Sequence, residues 1–409
     1  GSISPAIFGS LFQAVKSKEA RRELGEHYTT EENILKLIGP LFLDELRAEF
    51  VANIHSRPGL RKLHERLGQM RFLDPACGCG NFLIVAYREL RALELQILVR
   101  LQELSGKQVQ TSLVMDEDER VRVRMSHFNG IELEEWPATI ARTAMFLVNH
   151  QANQDMSLKI GVSPEQLPLT ESAHIVVGNA LRMDWNEVVP ASEHVYVMGN
   201  PPFIGQYTKT AEQTADMKAV WGADYDGYLD YVTGWHAQAM HYFADQPVGR
   251  FAFVTTNSIA QGQPVPALFG PLHREGWTIP FAHRTFAWSS EAPGAAGVHC
   301  VIVGFSKGIP LKGARLFSYD RSQGQPLEEP VSAISPYLVE GPWVLVAKRS
   351  KPLANLPAAV KGSQPTDGGN LIVEAAAYAE VAADPVAAKY LRRYVGAREL
   401  IHNTPRWCL

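Results

Sequence analysis

Short apolar runs, each stopped by a polar or small residue and parted from the next by a helical stretch, most restrict the folds open to this chain. They are Arg71-Phe72-Leu73, Phe128-Asn129-Gly130-Ile131, His174-Ile175-Val176-Val177, Val195-Tyr196-Val197, Arg250-Phe251-Ala252-Phe253-Val254 and Val298-His299-Cys300-Val301-Ile302-Val303. Runs this short and this apolar read as strands buried on both faces, and parallel strands need a long crossover between them. Between the first two runs Leu83, Ile84, Tyr87, Leu90, Leu93, Ile97, Leu98, Leu101 and Leu104 recur at helix spacing, with Asn81 expected as the N-cap. Further helices are expected over 137–145 and 226–244. The pattern predicts an α/β fold with a mostly parallel sheet, helices on both faces and ligands along the carboxyl edge of the strands.

The flanks read differently. Residues 5–50 are helical in pattern, with Ile34, Leu35, Leu37, Ile38, Leu41, Phe42 and Leu46 on one face and Pro40 expected to bend or divide the segment. After 306 the texture turns to Gly, Pro and short apolar pieces. The predicted layout is an N-terminal helical segment (1–50), the sheet domain (51–310) and a loop-rich C-terminal extension (311–409). The closing Arg406-Trp407-Cys408-Leu409 stops as a chain cut from a longer one would. With 409 residues and 46% hydrophobic content, a sizeable core is within reach. No apolar run of membrane-spanning length occurs, and no secretory signal opens the chain. Four cysteines (Cys77, Cys79, Cys300, Cys408) make neither a disulfide framework nor a zinc spacing, so a reducing cytoplasm is expected, with no metal. A net charge of −4 argues against binding nucleic acid by bulk charge. Local grooves could form from Lys16, Lys18, Arg21 and Arg22, or from Arg392, Arg393 and Arg398; a solvated face is the plainer reading.

Polar residues gather where the apolar runs end. Val195-Tyr196-Val197 hands over at Met198-Gly199 to Asn200-Pro201-Pro202-Phe203. Consecutive prolines stiffen the backbone and remove two N–H donors. The Asn200 amide oxygen and the Pro201 carbonyl can then both face a pocket as acceptors, beside the flat face of Phe203. An exocyclic amine on a planar base suits that rim; a plain proline turn is the alternative. The first run passes through Asp74-Pro75-Ala76-Cys77-Gly78-Cys79-Gly80 into its helix, the geometry by which backbone N–H groups approach a nucleotide-like ligand. A third glycine and a Gly-Lys-Ser/Thr are both missing, which excludes a dinucleotide fingerprint and a P-loop. Glu132 ends the second run where ribose hydroxyls can donate to it, or is an ordinary charge after a strand. Asn179, with Ala180 next to it, follows the third run at a position suited to an adenine edge. Ahead of the first helix lies His27-Tyr28-Thr29-Thr30, in which Thr30 is also a plausible N-cap.

Together these residues resemble the amino-group DNA methyltransferases that use S-adenosyl-L-methionine, with motifs in the order of the gamma-type adenine-N6 enzymes. The resemblance covers about 20–305 and implies a Rossmann-like class I methyltransferase fold. It implies that His27, Tyr28, Thr29, Thr30, Asp74, Pro75, Ala76, Cys77, Gly78, Glu132, Asn179 and Ala180 contact the cofactor, and that Asn200, Pro201, Pro202 and Phe203 form the catalytic motif. Phe12-Gln13-Ala14-Val15, Gly25 to Thr30, Gly362 to Asn370 and Arg392 to Leu409 look like the MmeI-like type IIL restriction–modification proteins of bacteria. In those, a nuclease, a helical spacer, a methyltransferase and a target-recognition domain follow one another on one chain. The chain lacks the Asp…Glu-x-Lys nuclease pattern and ends where the recognition domain should begin, so this segment is not expected to cut DNA. Asn179 departs from the Asp that many relatives carry for the adenine amine, and Asp184 is the alternative acceptor.

What the resemblance implies is double-stranded DNA as partner and transfer of a methyl group to a flipped-out adenine, with no covalent nucleophile. A cytosine-C5 enzyme would want a cysteine beside its proline motif, where Phe203 stands instead. Phe203 is expected to stack on one face of the base and Phe286 or Trp288 on the other. Two rivals stay open: a similar enzyme acting on RNA or on a protein glutamine, and a non-catalytic DNA-binding scaffold.

Overall fold

The computed structural model describes residues 29–105, 120–161, 172–288, 298–320, 324–349, 351–352, 354–357 and 366–409. The chain divides into two compact units, Gly1–Ala347 and Lys348–Leu409. Among the described residues the larger holds nine strands: β1 (Arg71–Asp74), β2 (Phe128–Glu132), β3 (His174–Val177), β4 (Val195–Gly199), β5 (Gly249–Thr256), β6 (Trp277–Trp288), β7 (Val298–Lys307), β8 (Ala314–Ser318) and β9 (Leu327–Val331). They lie side by side in the order β3-β2-β1-β4-β5-β7-β6-β8-β9. Neighbours from β3 through β5 are parallel, as are β6 and β8, while β7 and β9 run against their neighbours. This is the α/β fold with a mostly parallel sheet that the apolar runs predict.

Both faces of the sheet are buried, and side chains alternate between two cores as a pleat requires. Phe72, Tyr196, Met198, Ala252, Val254 and Ile302 belong to one core; Leu73, Val195, Val197, Phe251, Phe253 and Val303 belong to the other. The first core is closed by helices α1 (Glu31–Ile38), α2 (Asp44–Ala52), α3 (Arg57–Gln69), α4 (Asn81–Ser105) and α5 (Glu135–Ile160). The second is closed by α6 (Ala211–Trp221), α7 (Thr233–Tyr242) and α8 (Pro264–Arg274).

Three boundaries differ from the sequence expectation. Residues 31–50 are not a separate segment: Ile34, Leu37, Ile38, Leu41, Phe42, Leu43 and Leu46 are core residues of the sheet domain. Pro40 does not divide the helix, because a five-residue π turn, Gly39–Leu43, absorbs the missing N–H and the chain stays helical into α2. Nor does the sheet end at 310. β8 pairs with β6 and β9 returns beside it, short strands among Gly and Pro that carry too few residues to signal themselves. β6 was not anticipated either. Pro280 and two register shifts, between Thr278 and Phe281 and between His283 and Phe286, break its alternation.

The smaller unit carries a three-stranded antiparallel sheet of β10 (Ile372–Glu374), β12 (Arg406–Cys408) and β11 (Arg392–Tyr394), in that order. Arg406 binds Glu399 at 2.7 Å, and Trp407 packs on Tyr378 with ring centroids 4.2 Å apart. Arg392, Arg393 and Arg398 are exposed. Among the described residues of the chain, no helix is long and apolar enough to cross a membrane.

Candidate active site

β1 and β4 are neighbours, so the residues after their carboxyl ends are brought together by register alone. Gly199 shows how closely. A Cβ there would lie 2.5 Å from Asp74 Oδ1. Only a residue without a side chain lets the end of β4 pass the Asp74 carboxyl, and the next residue is Asn200. Its Nδ2 donates to Thr29 Oγ1 at 3.0 Å, a bond between the segment leading into α1 and the turn after β4.

The loop after β1 is shaped by two glycines with positive φ, +53° at Gly78 and +84° at Gly80. A Cβ on Gly80 would meet Ala141 of α5 at 3.0 Å, whereas one on Gly78 would meet no described residue within 4 Å. Gly80 therefore serves packing, and Gly78 borders open space. The loop is tied down by Cys77 N–H donating to Ile131 O (3.0 Å), Gly78 N–H to Glu132 Oε2 (2.9 Å) and Trp235 Nε1–H to Pro75 O (3.0 Å). Asn81 opens α4 rather than capping it, and no described residue bonds its buried Oδ1. Thr30 occupies the cap position of α1 by its backbone, without a hydroxyl bond to the helix.

Two carboxyls sit under this loop. Asp74 is 1% exposed; Ala76 N–H donates to its Oδ1 at 3.1 Å, and no described residue bonds its buried Oδ2. Burial pushes its pKa up to about 8, with the Ala76 bond opposing and the Glu132 charge adding. Glu132 spans the loop and the start of α5, accepting from Gly78 N–H and, through Oε1, from Glu134 N–H at 3.1 Å. Leu133 and Trp136, 57% and 64% exposed, stand next to it as apolar surface that periodicity could not assign. The Cys77 thiol is held well above its ordinary range, first by burial and then by Asp74 and Glu132, which removes it as a thiolate nucleophile.

Other candidates fall differently. Asn179 is engaged within the protein: Nδ2 donates to Asp216 Oδ2 (3.0 Å), and Oδ1 accepts from Leu181 N–H (3.0 Å). Buried Asp216 also takes Arg182 Nε at 2.6 Å and Tyr231 OH at 3.2 Å. Ala180 is buried, and its carbonyl accepts from Trp185 Nε1–H at 2.9 Å. Asp184 is exposed and caps a short turn through Asn186 N–H. Phe286 is a correction: at 1% exposure it packs against Tyr319, with His283 beside it, and has no face left for a base. The bulge ahead of it in β6 turns it into the core. Phe203 is half-buried at the lip of the turn, between buried Pro201 and Ile204. His27, Tyr28 and the Trp288 side chain lie outside the described residues, as do Lys16, Lys18, Arg21 and Arg22. Among the described residues no group of His, Cys, Asp and Glu could hold a metal ion.

Asp230 went unnoticed in the sequence. Buried after α6, it accepts from Gln206 N–H (2.8 Å), Thr256 Oγ1 (3.0 Å) and Ser258 Oγ (2.5 Å). With Tyr231 N–H donating to Ile204 O (3.0 Å), it pins the segment following Phe203 to the end of β5. An Asp inside a Gly- and Tyr-rich stretch carries no periodic signal of that role.

A parallel-stranded sheet, a glycine loop after β1, a carboxylate after β2 and an Asn-Pro-Pro-Phe turn after β4 on one edge define an α/β methyltransferase domain. The model of the MmeI DNA-methyltransferase domain matches residues 50–318, and that of the MmeI target recognition domain matches 340–409. The chain belongs to the MmeI DNA-methyltransferase family. It is similar to DNA methyltransferase A of Bacillus subtilis (strain 168), 38% identical over 413 residues, covering 100% of this chain and 45% of that protein. It is also similar to the structure of the type IIL restriction–modification enzyme MmeI in complex with DNA. The two are 43% identical with a TM-score of 0.88, over 100% of this chain and 54% of the other. The chain thus spans about half the length of these relatives.

Proposed function

We propose that this chain carries the methyl-transfer site of a DNA adenine-N6 methyltransferase, the modification part of a restriction–modification enzyme that uses S-adenosyl-L-methionine. The observation that supports the reading is the close approach of Gly199 to Asp74, which brings the end of β4, with Asn200 after it, next to the end of β1 from which the glycine loop starts. The residues present fit the cofactor. The buried Asp74 Oδ2 suits an ammonium, the open side of Gly78 admits a ligand close to backbone, and Glu132 with Leu133 suits a ribose and an apolar ring face. When bound, S-adenosyl-L-methionine supplies an electrophilic methyl group.

What the protein's own residues contribute is geometry. The N6 lone pair of adenine is delocalised into the ring and attacks poorly while the amine is planar. The Asn200 Oδ1 and the Pro201 carbonyl oxygen accept its two N–H groups, favouring a nitrogen that turns toward tetrahedral as positive charge develops on it. Pro201 and Pro202 hold both acceptors still, and the Asp230 network holds the segment that follows. No side-chain nucleophile takes part. Inside a duplex N6 is paired, so the base is extruded at a cost of about a few kcal/mol, with Phe203 offered as one stacking face. Trp288 keeps the role of the second face.

The target-recognition match over 340–409 favours duplex DNA over RNA or a protein glutamine, and the intact Asn200 motif disfavours a non-catalytic scaffold. The experiment offers labelled S-adenosyl-L-methionine with duplex DNA, RNA and protein, followed by nucleoside analysis of the labelled product. N6-methyldeoxyadenosine is expected; label in RNA or protein, or in none of the three, would overturn the reading.

A further inference from the structure

We propose that Tyr207 enters the DNA stack when the adenine leaves it: its ring stacks beside the vacated position and keeps the duplex open. This rests on the function proposed above. A base that swings out loses its pairing and its stacking, and an aromatic ring offered to the gap returns part of the stacking. Such a ring has to be exposed, carried on a stiff loop and placed within a few base steps of the site that receives the base.

Tyr207 meets these conditions. At 85% exposure it is the most exposed aromatic side chain among the described residues, so it buries almost nothing of the fold. It sits at the tip of a tight turn, closed by Thr208, whose N–H and Oγ1 both donate to Gly205 O at 3.0 and 3.1 Å. The turn is braced against residues 229–231: Tyr231 N–H donates to Ile204 O (3.0 Å), Gln206 N–H to Asp230 Oδ1 (2.8 Å) and Lys209 Nζ to Leu229 O (2.5 Å). Directly after it, Thr210 and Gln213 close a capping box at the start of α6. A loop tied down at both ends presents its ring in one place.

That place follows from the sheet and the chain. β4 and β5 are parallel, and Asp230 joins Gln206 N–H to Thr256, the last residue of β5, which sets the turn over the edge where Asn200 stands. Tyr207 is four residues past Phe203, a separation that keeps their backbones within about 14 Å. This is about four base steps at roughly 3.4 Å each, so the pairs beside an adenine held on Phe203 are within reach of the ring. Charge does not account for the turn. Its one charged side chain, Lys209, is turned back onto Leu229 O, and what faces outward is a flat aromatic surface.

The test compares Tyr207→Ala and Tyr207→Phe with the parent in the full-length protein, by single-turnover transfer from labelled S-adenosyl-L-methionine to duplexes carrying the sequence that the parent methylates. One duplex is fully paired, and the other has an abasic site opposite the target adenine; 2-aminopurine fluorescence at the target position reads extrusion in parallel. On paired DNA Tyr207→Ala should be about ten- to a hundredfold slower, the worth of one base stacked on a ring, with a weaker 2-aminopurine signal, while Tyr207→Phe stays within about twofold. On the abasic duplex, where extrusion costs least, the alanine deficit should shrink to about threefold or less. Melting temperature and cofactor Kd should match those of the parent, because the ring lies outside the core. An unchanged rate for Tyr207→Ala on paired DNA, equal losses on the two duplexes, or a loss in Tyr207→Phe as large as in alanine, the mark of a hydroxyl bound to phosphate, would overturn the proposal. If the parent methylates no duplex DNA, it is the functional reading that has failed, and the proposal falls with it.

Discussion

Gly199→Ala perturbs the link between the two halves of the site more narrowly than any change to a polar residue. The added methyl carbon would lie 2.5 Å from Asp74 Oδ1 and 3.2 Å from its Cγ, about 0.9 Å short of the 3.4 Å at which ordinary contact begins. Asp74 cannot swing away. It is 1% exposed on a short central strand, and Ala76 N–H holds the same oxygen. Relief must come from the end of β4, which carries Asn200 with it. Overpacking of this kind costs about 1–3 kcal/mol of stability. An acceptor displaced by nearly an ångström loses on the order of a hundredfold in rate. Purified Gly199→Ala should therefore melt only a few degrees lower yet transfer methyl groups on the order of a hundredfold more slowly. Gly270→Ala is the control, since in α8 its Cβ would meet, among the described residues, only Leu345, at 3.9 Å. A Gly199→Ala protein that loses stability while keeping its rate would refute the claim that this contact positions Asn200.

Other outcomes follow from the same geometry. Asp74 has a folded pKa raised to about 8 from an ordinary 3.8, so above pH 4 the unfolded chain ionises while the folded one holds its proton, and stability drains away as pH rises toward 8. Asp74→Asn should therefore melt higher than the parent at pH 8 and lose that advantage near pH 4, while binding S-adenosyl-L-methionine more weakly; a pH-independent difference in melting would contradict it. Glu94 is 1% exposed and holds His64 (3.0 Å), Arg91 (3.3 Å) and the N–H groups of Arg122 and Val123 (2.6 and 3.1 Å). Glu94→Ala leaves buried polar groups without that acceptor and should cost about 3–5 kcal/mol in denaturant unfolding, as breaking a buried pair does. A loss below about 1 kcal/mol would show the cluster to be incidental.

The sheet was legible where burial on both faces left continuous apolar runs, as in β1 to β5 and β7. It was illegible where geometry broke the pattern. β6 hides behind Pro280 and two bulges, and β8 and β9 are only five residues each. The candidate site was legible as far as strand ends mark it. Asp74, Gly78, Glu132 and Asn200 follow runs that could be read directly, and the sheet order then brings them to one edge. Residues acting across the fold were not readable in that way. Thr29 was noticed within its own hexapeptide, but a bond spanning 171 positions leaves no local trace, and Asp230 gathers partners from two separate stretches, Gln206 and Thr256 to Ser258. Phe286 shows the converse error: an aromatic near the right edge reads as a stacking face until the bulge beside it turns it inward.

The proposed role of Asn200 is to act on the substrate amine and not on the cofactor. It is tested most directly by Asn200→Ala in the full-length protein, with the single-turnover rate on duplex DNA and the Kd for S-adenosyl-L-methionine measured on the same preparation. The rate should be lower by on the order of a hundredfold or more, as for the loss of a donor or acceptor aimed at developing charge, with the Kd nearly unchanged. A parallel loss of rate and cofactor affinity, or an unaltered rate, would contradict it.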